Sequence, residues 1–373
     1  MGTPAVRVLH IVTRYRRGGS EQRIRDIVAA LDDCEHVVVV GDDSDLDLAR
    51  GELGVIVEYL PTLVRAPRPA ADARAVPDLV RRIRRSRPDV VVTHQSKAGA
   101  VGRLAARFCR VPVVHSLSMA NFGPGFSRGE SAVFRVVERA LAPATDRYLV
   151  VGEDLARRFQ GAGVPAAKLT VVRSGATLPA PRPAAAPSVP GVPDDRPVIL
   201  ALGALEPRKH PLDLVPLLER VRRTVPDAFL AVAGEGPLRD ELERAVAAAG
   251  LGADLGVLGY VKPVEPLLWR ADVLVLMSDA EGLPQVLVQA AAAGTPFVTY
   301  EVDGAWEMVA LGARGTVVPH GALERAADSV AAWLTTAPEG SARADLSSWH
   351  TATIHATYRS VIGDVVGEAR RAG

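Results

Sequence analysis

The sequence has little cysteine, few aromatic residues and no long apolar run. Its two cysteines, Cys34 and Cys109, lie far apart and outside any ligand motif, which argues against a disulfide framework and a zinc site. Aromatic residues make up 5% of the chain, too few for the stacking platforms that bind single-stranded nucleic acid. No apolar run approaches the roughly 20 residues of a membrane span, and the first residues lack the features of a signal peptide. We expect a cytoplasmic protein that binds no nucleic acid.

The 373 residues, 48% of them hydrophobic, exceed what one core usually serves, so two domains are expected. Their charge is uneven. Residues 1–180 contain 27 basic and 19 acidic residues, whereas the remainder contains 17 and 24. The segment RRIRRSR at 81–87 would suit anionic lipid or phosphate, or it is a solvated helix face. Peripheral contact with a membrane through the basic half is therefore one hypothesis.

Short β-branched runs alternate with helical patterns, which predicts parallel sheets built from βαβ units. From Ser20 onward the apolar positions follow helical spacing, so Ser20 is predicted as a helix N-cap. The strands predicted in the first half are 6–12, 36–40, 55–59, 89–94, 111–116, 147–151 and 169–172.

A stretch rich in proline and alanine over 179–197 predicts a semi-rigid linker. After it the alternation restarts, with strands predicted at 198–203, 228–234, 254–259, 272–278 and 295–300. The pattern indicates an N-terminal domain over 1–178 and a C-terminal domain over 198–346. Both are predicted to be doubly wound parallel sheets, and a cleft between them would bind ligand at the strand ends.

In the first half, Gly18 and Gly19 precede a helix but do not match G-x-G-x-x-G, which argues against a nicotinamide cofactor. They would let backbone approach an anion or a sugar, or form a turn for packing alone. His94 and His115 each follow a β-run, so we expect them to project from strand ends into the cleft. His10, inside an apolar strand, reads as a core histidine.

In the second half, Arg208 and Lys209 follow a strand and precede a helix, where two cations would neutralise a diphosphate. Gly236, in AGEGP, permits close backbone approach to a ligand.

The stretch EGLPQVLVQA at 281–290 places Glu281 at the turn before a helix. Pro284 suits the first helical turn. A carboxylate there would accept hydrogen bonds from hydroxyls, and the amides near Gly282 would face an anion. Gln289, eight residues later, would lie about 12 Å away along a helix, so the two could hold opposite ends of one nucleotide sugar.

Taken together, these motifs resemble the family 4 glycosyltransferases, retaining enzymes of the GT-B fold that use a nucleotide sugar without a metal. The resemblance rests on RGGSE near the start, SKAGAVGRLAAR at 96–107, ERALAPATDRYLVVGEDL at 138–155, VVRSG at 171–175, LEPRKH at 205–210 and EGLPQVLVQAAAAGTP at 281–296.

The resemblance implies an N-terminal acceptor domain, a C-terminal donor domain and a final helix, about 347–366, that packs back on the first. It implies that His115, Glu281 and Lys209 are catalytic and that no cofactor is needed beyond the donor, with a UDP-sugar favoured. Donor-binding positions are expected at Gly19, Arg208, Lys209, Gly236, Val261, Glu281, Gly282, Leu283, Pro284 and Gln289. Acceptor-binding positions are expected at Gly18, His94 and Lys97.

The chain departs from the family pattern at three positions. Gln289 replaces the second acid, Ala204 stands where arginine is frequent, and Ser174 replaces asparagine. Two alternative functions stay open, a nucleotide-sugar epimerase and a catalytically silent binding protein. The acceptor is expected to be a lipid-linked sugar or a small molecule.

Overall fold

The computed structural model describes residues 5–16, 19–64, 68–123, 125–175, 177–336 and 344–372. It divides the chain into two compact units. The first comprises residues 1–175 together with 347–373, and the second comprises residues 176–346. Each unit is built on one parallel sheet.

The first unit has seven parallel strands in the order β3-β2-β1-β4-β5-β6-β7. These strands are β1 (Arg7–Val12), β2 (Glu35–Val40), β3 (Ile56–Tyr59), β4 (Val90–His94), β5 (Val113–Leu117), β6 (Arg147–Val150) and β7 (Leu169–Val171). Most of their side chains are buried, as expected for a sheet covered by helices on both faces.

The helices between these strands are α1 (Gly19–Ala30), α2 (Leu46–Leu53), α3 (Pro69–Ser86), α4 (Ser96–Cys109), α5 (Arg128–Leu141) and α6 (Glu153–Gly161). Strand order reverses between β1 and β4, so right-handed crossovers put α1 and α2 on one face and α3, α4, α5 and α6 on the other. The packing of α3 on α4 and of α4 on α5 agrees with this. Helix α1 begins at Gly19, so Ser20 lies inside its first turn and is not the predicted N-cap.

The second unit has six parallel strands in the order β10-β9-β8-β11-β12-β13. These are β8 (Val198–Leu202), β9 (Phe229–Ala233), β10 (Leu255–Gly259), β11 (Val273–Leu276), β12 (Phe297–Tyr300) and β13 (Gly315–Val318). The helices are α7 (Leu214–Val221), α8 (Arg239–Ala248), α9 (Glu265–Arg270), α10 (Gln285–Ala293), α11 (Ala305–Ala310) and α12 (Leu323–Thr335). The sequence did not predict β13.

Residues 179–197, predicted as a linker, belong to the second unit. Backbone of this stretch is bonded to that unit, since Arg182 N donates to Ala293 O at 3.0 Å and Arg270 Nε donates to Pro193 O at 3.0 Å. Val189 and Val192 are buried. The proline-rich stretch has no helical or strand periodicity in its sequence, yet it packs against the second unit.

The last helix, α13 (Thr351–Ala372), belongs to the first unit. It packs on α1 and contributes to the same core as strands β1, β4 and β5. Its buried residues in that core are Ile354, Tyr358, Ile362, Val365 and Val366. No helix in the described part of the chain combines the length and apolar character that crossing a membrane requires.

A chain of three buried histidines crosses the first sheet. His36 Nε2 lies 2.9 Å from Leu31 O, and because a carbonyl only accepts, this nitrogen carries the proton. His36 Nδ1 therefore accepts from His10 Nε2 at 3.0 Å, and His10 Nδ1 accepts from His94 Nε2 at 3.2 Å. Neutral rings satisfy every step, so the Leu31 carbonyl fixes all three tautomers. His10 is thus a satisfied core histidine, as the sequence indicated.

Burial lowers the pKa of these histidines. The pKa of His94 falls to about 3, chiefly through burial and secondarily through the Arg23 charge. The pKa values of His10 and His115 also lie well below the ordinary value, again chiefly through burial. Below about pH 6.5 the unfolded chain therefore binds protons that the folded chain does not.

We predict that the first unit loses stability as pH falls from 6.5 to 5.5. Between pH 6.5 and pH 5.5, His10, His94 and His115 should each lower the free energy of unfolding by up to about 1.4 kcal/mol. The free energy of urea unfolding, measured at pH 7.5, 6.5 and 5.5, checks this. His350→Gln, at an exposed position, should leave the slope unchanged, and a flat profile would contradict the prediction.

Candidate active site

In the second sheet the strand order reverses between β8 and β11. The chain leaves β8 toward β9 on one side, while β11 pairs with β8 on the other. In parallel sheets, ligands bind at the carboxyl ends of strands where the order reverses. The loop after β8 carries Arg208 and Lys209, and the loop after β11 carries Glu281. The topology thus brings together three residues that the sequence predicted for one site.

Glu281 accepts hydrogen bonds from both cations of the neighbouring loop. Its Oε1 pairs with Lys209 Nζ and lies 3.2 Å from a terminal nitrogen of Arg208, which also donates to Ala280 O at 2.6 Å. The carboxylate is 12% exposed and the Lys209 side chain 18%. Two cations and one carboxylate leave this cluster with a net charge of +1.

The same two loops are fixed by Asp279, which the sequence did not single out. Its backbone N donates to Arg208 O at 2.9 Å. Its Oδ1 lies 2.7 Å from His210 Nε2 and 2.7 Å from His320 Nε2, after β13. No sequence pattern pairs these histidines with Asp279, because strand order alone brings residue 320 next to residue 279. For His210 the available signal was its position after a predicted strand, whereas His320 follows β13, which the sequence did not predict.

Pro284 precedes helix α10 as its N-cap residue and is not in the first turn, because its ψ of 115° is extended. Gln285 begins the helix. The first N–H groups of a helix have no intrahelical acceptor and favour an anion, so Gly282, Leu283 and Pro284 lie at an electropositive end. Only the last five of the nine residues from Glu281 to Gln289 are helical, so helix rise alone does not set the separation of Glu281 and Gln289. Gln289 is partly buried on α10.

Glycines allow the loops after β8 and β9 to touch. A Cβ on Gly234 would lie 1.8 Å from Gly203 O, and one on Gly236 would lie 2.5 Å from Leu205 O. Leu205 N donates to Glu235 O, and Leu238 N donates to Leu205 O. Gly236 therefore has a packing role beside the predicted ligand role. Val261 lies in the loop after β10, at the same edge of the sheet.

The first sheet has its own switch point between β1 and β4. Ala98 N donates to Thr13 Oγ1 at 3.0 Å, which ties the loop after β1 to the start of α4. Lys97, in the first turn of α4, pairs with Asp72 on α3. Gly19 is the first residue of α1, and Gly18 lies outside the described residues.

His94 and His115 do not project beyond their strands as expected. His94 ends β4 but is buried against His10. His115 is the third of five residues in β5 and is fully buried. Its Nδ1 lies 2.8 Å from Thr93 Oγ1, while its Nε2 has no hydrogen-bond partner among the described residues. The ring packs against Gly99 of α4, where a Cβ would lie 2.2 Å from Cε1.

Buried charges in the first unit also escaped sequence reasoning. Arg23 donates to Val172 O at 2.7 Å and to Ser116 Oγ at 3.0 Å. Arg103 forms two 2.8 Å bonds with Glu138. Ser174, at a position that departs from the family pattern, is buried beside Arg23. Among the described residues, no group of His, Cys, Asp or Glu is arranged to hold a metal ion.

Two Rossmann-like parallel sheets in one chain define a GT-B protein. Solved structures with this fold include Anabaena HepE in complex with UDP and glucose, at TM-score 0.68 and 19% identity over 98% of this chain and 97% of that one. Sucrose-phosphate synthase of Thermosynechococcus elongatus gives TM-score 0.74 and 17% identity over 99% and 100%.

The chain belongs to the glycosyltransferases. Residues 18–175 match the glycosyl transferase 4-like domain, and residues 185–347 match glycosyl transferases group 1.

Curated relatives carry transferase names. The UDP-Gal:alpha-D-GlcNAc-diphosphoundecaprenol alpha-1,3-galactosyltransferase of Escherichia coli is 26% identical over 72% of this chain and 75% of its own length. The D-inositol 3-phosphate glycosyltransferase of Mycobacterium tuberculosis is 29% identical over 76% of this chain but only 64% of its own length. Neither alternative from the sequence, the epimerase or the silent binding protein, is favoured by these relatives.

We predict that Gly234→Ala destabilises the second unit by about 1–3 kcal/mol, because the added methyl group displaces the Gly203 backbone. The free energy of unfolding in urea measures this. Gly252→Ala is the matched control, since a Cβ there meets nothing within 4 Å. Equal stability of the two variants would contradict the close approach of the loops.

Proposed function

We propose that this glycosyltransferase transfers a sugar from a UDP-sugar to an acceptor hydroxyl, with retention at the anomeric carbon and without a metal or other cofactor. The observation that carries the proposal is the cluster of Lys209, Arg208 and Glu281 at the switch point beside the start of α10. Relatives and structures with UDP-sugar or UDP in their names support the choice of donor.

In this proposal the donor diphosphate binds Lys209, Arg208 and the amides before α10, and Glu281 accepts hydrogen bonds from the sugar hydroxyls. The bond between the anomeric carbon and the β-phosphate oxygen breaks while the acceptor oxygen bonds to the same face. The acceptor proton passes to the departing phosphate. The cations stabilise its growing negative charge, which is the role a metal ion plays elsewhere.

Three further assignments belong to the same proposal. Gln289 hydrogen-bonds the ribose as a neutral group, and Gly236, Gly282, Leu283 and Val261 line the donor site. His115 is proposed as a catalytic residue that acts through its buried Nε2, which has no hydrogen-bond partner among the described residues. Gly19 is proposed as a further donor-binding residue, and Gly18, His94 and Lys97 are proposed as acceptor-binding residues.

The acceptor is proposed to be a lipid-linked sugar rather than a small molecule. The Escherichia coli relative is named for a diphosphoundecaprenol-linked acceptor. The basic excess of residues 1–180 suits such an anionic substrate.

We expect Lys209→Met and Arg208→Met each to weaken UDP binding by about tenfold or more, because a charge-assisted hydrogen bond contributes about 1.5–3 kcal/mol. Turnover should fall further for Lys209→Met, because charge grows at the leaving phosphate. Calorimetry with UDP and a UDP-release assay, both in EDTA, measure these effects. Arg244→Met, exposed on α8, is the control. Wild-type behaviour of both site variants would refute the assignment, and loss of wild-type activity in EDTA would refute metal independence.

The product should keep the anomeric configuration of the donor sugar. We expect an α-linked product from an α-linked UDP-sugar, read from the anomeric proton coupling in NMR of the isolated product. A β-linked product would overturn the retaining mechanism. Donor converted without any acceptor would instead support the epimerase.

A further inference from the structure

Helix α5 buries polar side chains and exposes aliphatic ones. Its buried positions include two polar residues, Ser131 and Glu138. Its exposed positions include Arg128, Arg135 and Arg139. They also include four small or aliphatic residues, Val133 at 61% and Val136 at 68% exposed, with Ala132 and Ala140. The valines and alanines share one side of the helix by their spacing of three and four, so α5 exposes an apolar strip beside its arginines.

A buried ion pair fixes this orientation. Arg103 of α4 binds Glu138 through two 2.8 Å hydrogen bonds and also donates to Tyr148 Oη at 3.0 Å. Turning α5 to bury its valines would leave Arg103 buried without its counter-charge, which is strongly unfavourable. The valines consequently stay at the surface.

Helix α4 extends the apolar surface. Leu104 is 40% exposed and Phe108 68% exposed, one helical turn apart. Helices α4 and α5 pack together on the same face of the sheet. We call Leu104, Phe108, Val133 and Val136 the apolar outer face.

The charge around the apolar outer face is mainly positive. Helices α3, α4, α5 and α6 on this face contain thirteen basic and six acidic residues, whereas α1, α2 and α13 on the opposite side contain six basic and six acidic residues. The acids near the apolar outer face are engaged, because Glu138 binds Arg103, Asp72 and Asp78 pair with basic residues, and Glu130 completes a capping box. The exposed basic residues include Arg84, Arg85, Arg107, Arg128, Arg135 and Arg139.

We propose that the apolar outer face docks on the surface of an anionic lipid bilayer. Phe108 and the two valines insert at the boundary between headgroups and acyl chains, while the surrounding arginines bind lipid phosphates. Aliphatic residues on a helix edged by arginines fit a lipid surface, and this charge pattern favours lipid over a protein partner. The proposal rests on the lipid-linked acceptor of the proposed function. Docking would bring the protein to the bilayer that contains this acceptor.

The test is co-sedimentation of the full chain with phosphatidylcholine vesicles, with and without 30% phosphatidylglycerol. We expect binding only to the anionic vesicles, weakened by added salt. Phe108→Asp with Val136→Asp should weaken binding by about tenfold or more, and Arg84→Gln with Arg139→Gln by a similar factor, since each arginine near the surface contributes about fivefold. Ile56→Asp is the matched control, because Ile56 is 64% exposed in the same unit but lies on β3.

Vesicle binding that ignores lipid charge, or that survives both double variants, would overturn the proposal. So would self-association through the apolar outer face without vesicle binding. The serine variants Phe108→Ser and Val136→Ser replace the aspartates if those variants unfold. UDP affinity is measured in parallel and should stay unchanged in every variant. If the wild type does not bind UDP, the proposed donor site is wrong. If the wild type binds UDP but not anionic vesicles, only the proposed role of the apolar outer face is wrong.

Discussion

The parallel pairing of every strand is the constraint on which the site depends. In a parallel sheet all strands end at the same edge, and right-handed crossovers leave a gap where the strand order reverses. The loops after β8 and β11 meet at that gap in the second unit. Lys209 and Glu281 are 72 residues apart in sequence yet form an ion pair. The cluster thus follows from topology, and the short loops need only place the right charge after each strand.

This constraint explains how far the sequence could predict the structure. Strand positions were predictable within about two residues, because buried β-branched runs have a strong pattern. Lys209 and Glu281 were predictable as neighbours, since both follow such runs. The link from Asp279 to His320 was not, because it depends on β13, a strand with three of its four residues only partly buried and a weak apolar pattern. The burial of His115 was also missed. The apolar pattern located strand β5 but not its last residue, and β5 continues two residues beyond His115.

The two units differ in how their interiors hold polar groups. The first buries Arg23, Arg103 and a chain of histidines, each with fixed partners. Buried groups of this kind are costly unless every partner is present, so they specify orientation more sharply than apolar packing does. The Arg103 pair decides which side of α5 faces outward. Surface character in this unit is therefore set partly from inside the core.

The first unit is assembled from both ends of the chain, because helix α13 belongs to it. The ribosome makes β1 through β7 early, but five apolar side chains of the same core come from residues 354–366. Until these residues emerge, the first unit has synthesised its whole sheet and still lacks part of the cover over β1, β4 and β5. The second unit, contiguous from residue 176 to residue 346, has its entire sequence available sooner. Domains generally fold as units during synthesis, so the first unit can complete its core only after the residues of α13 have been made.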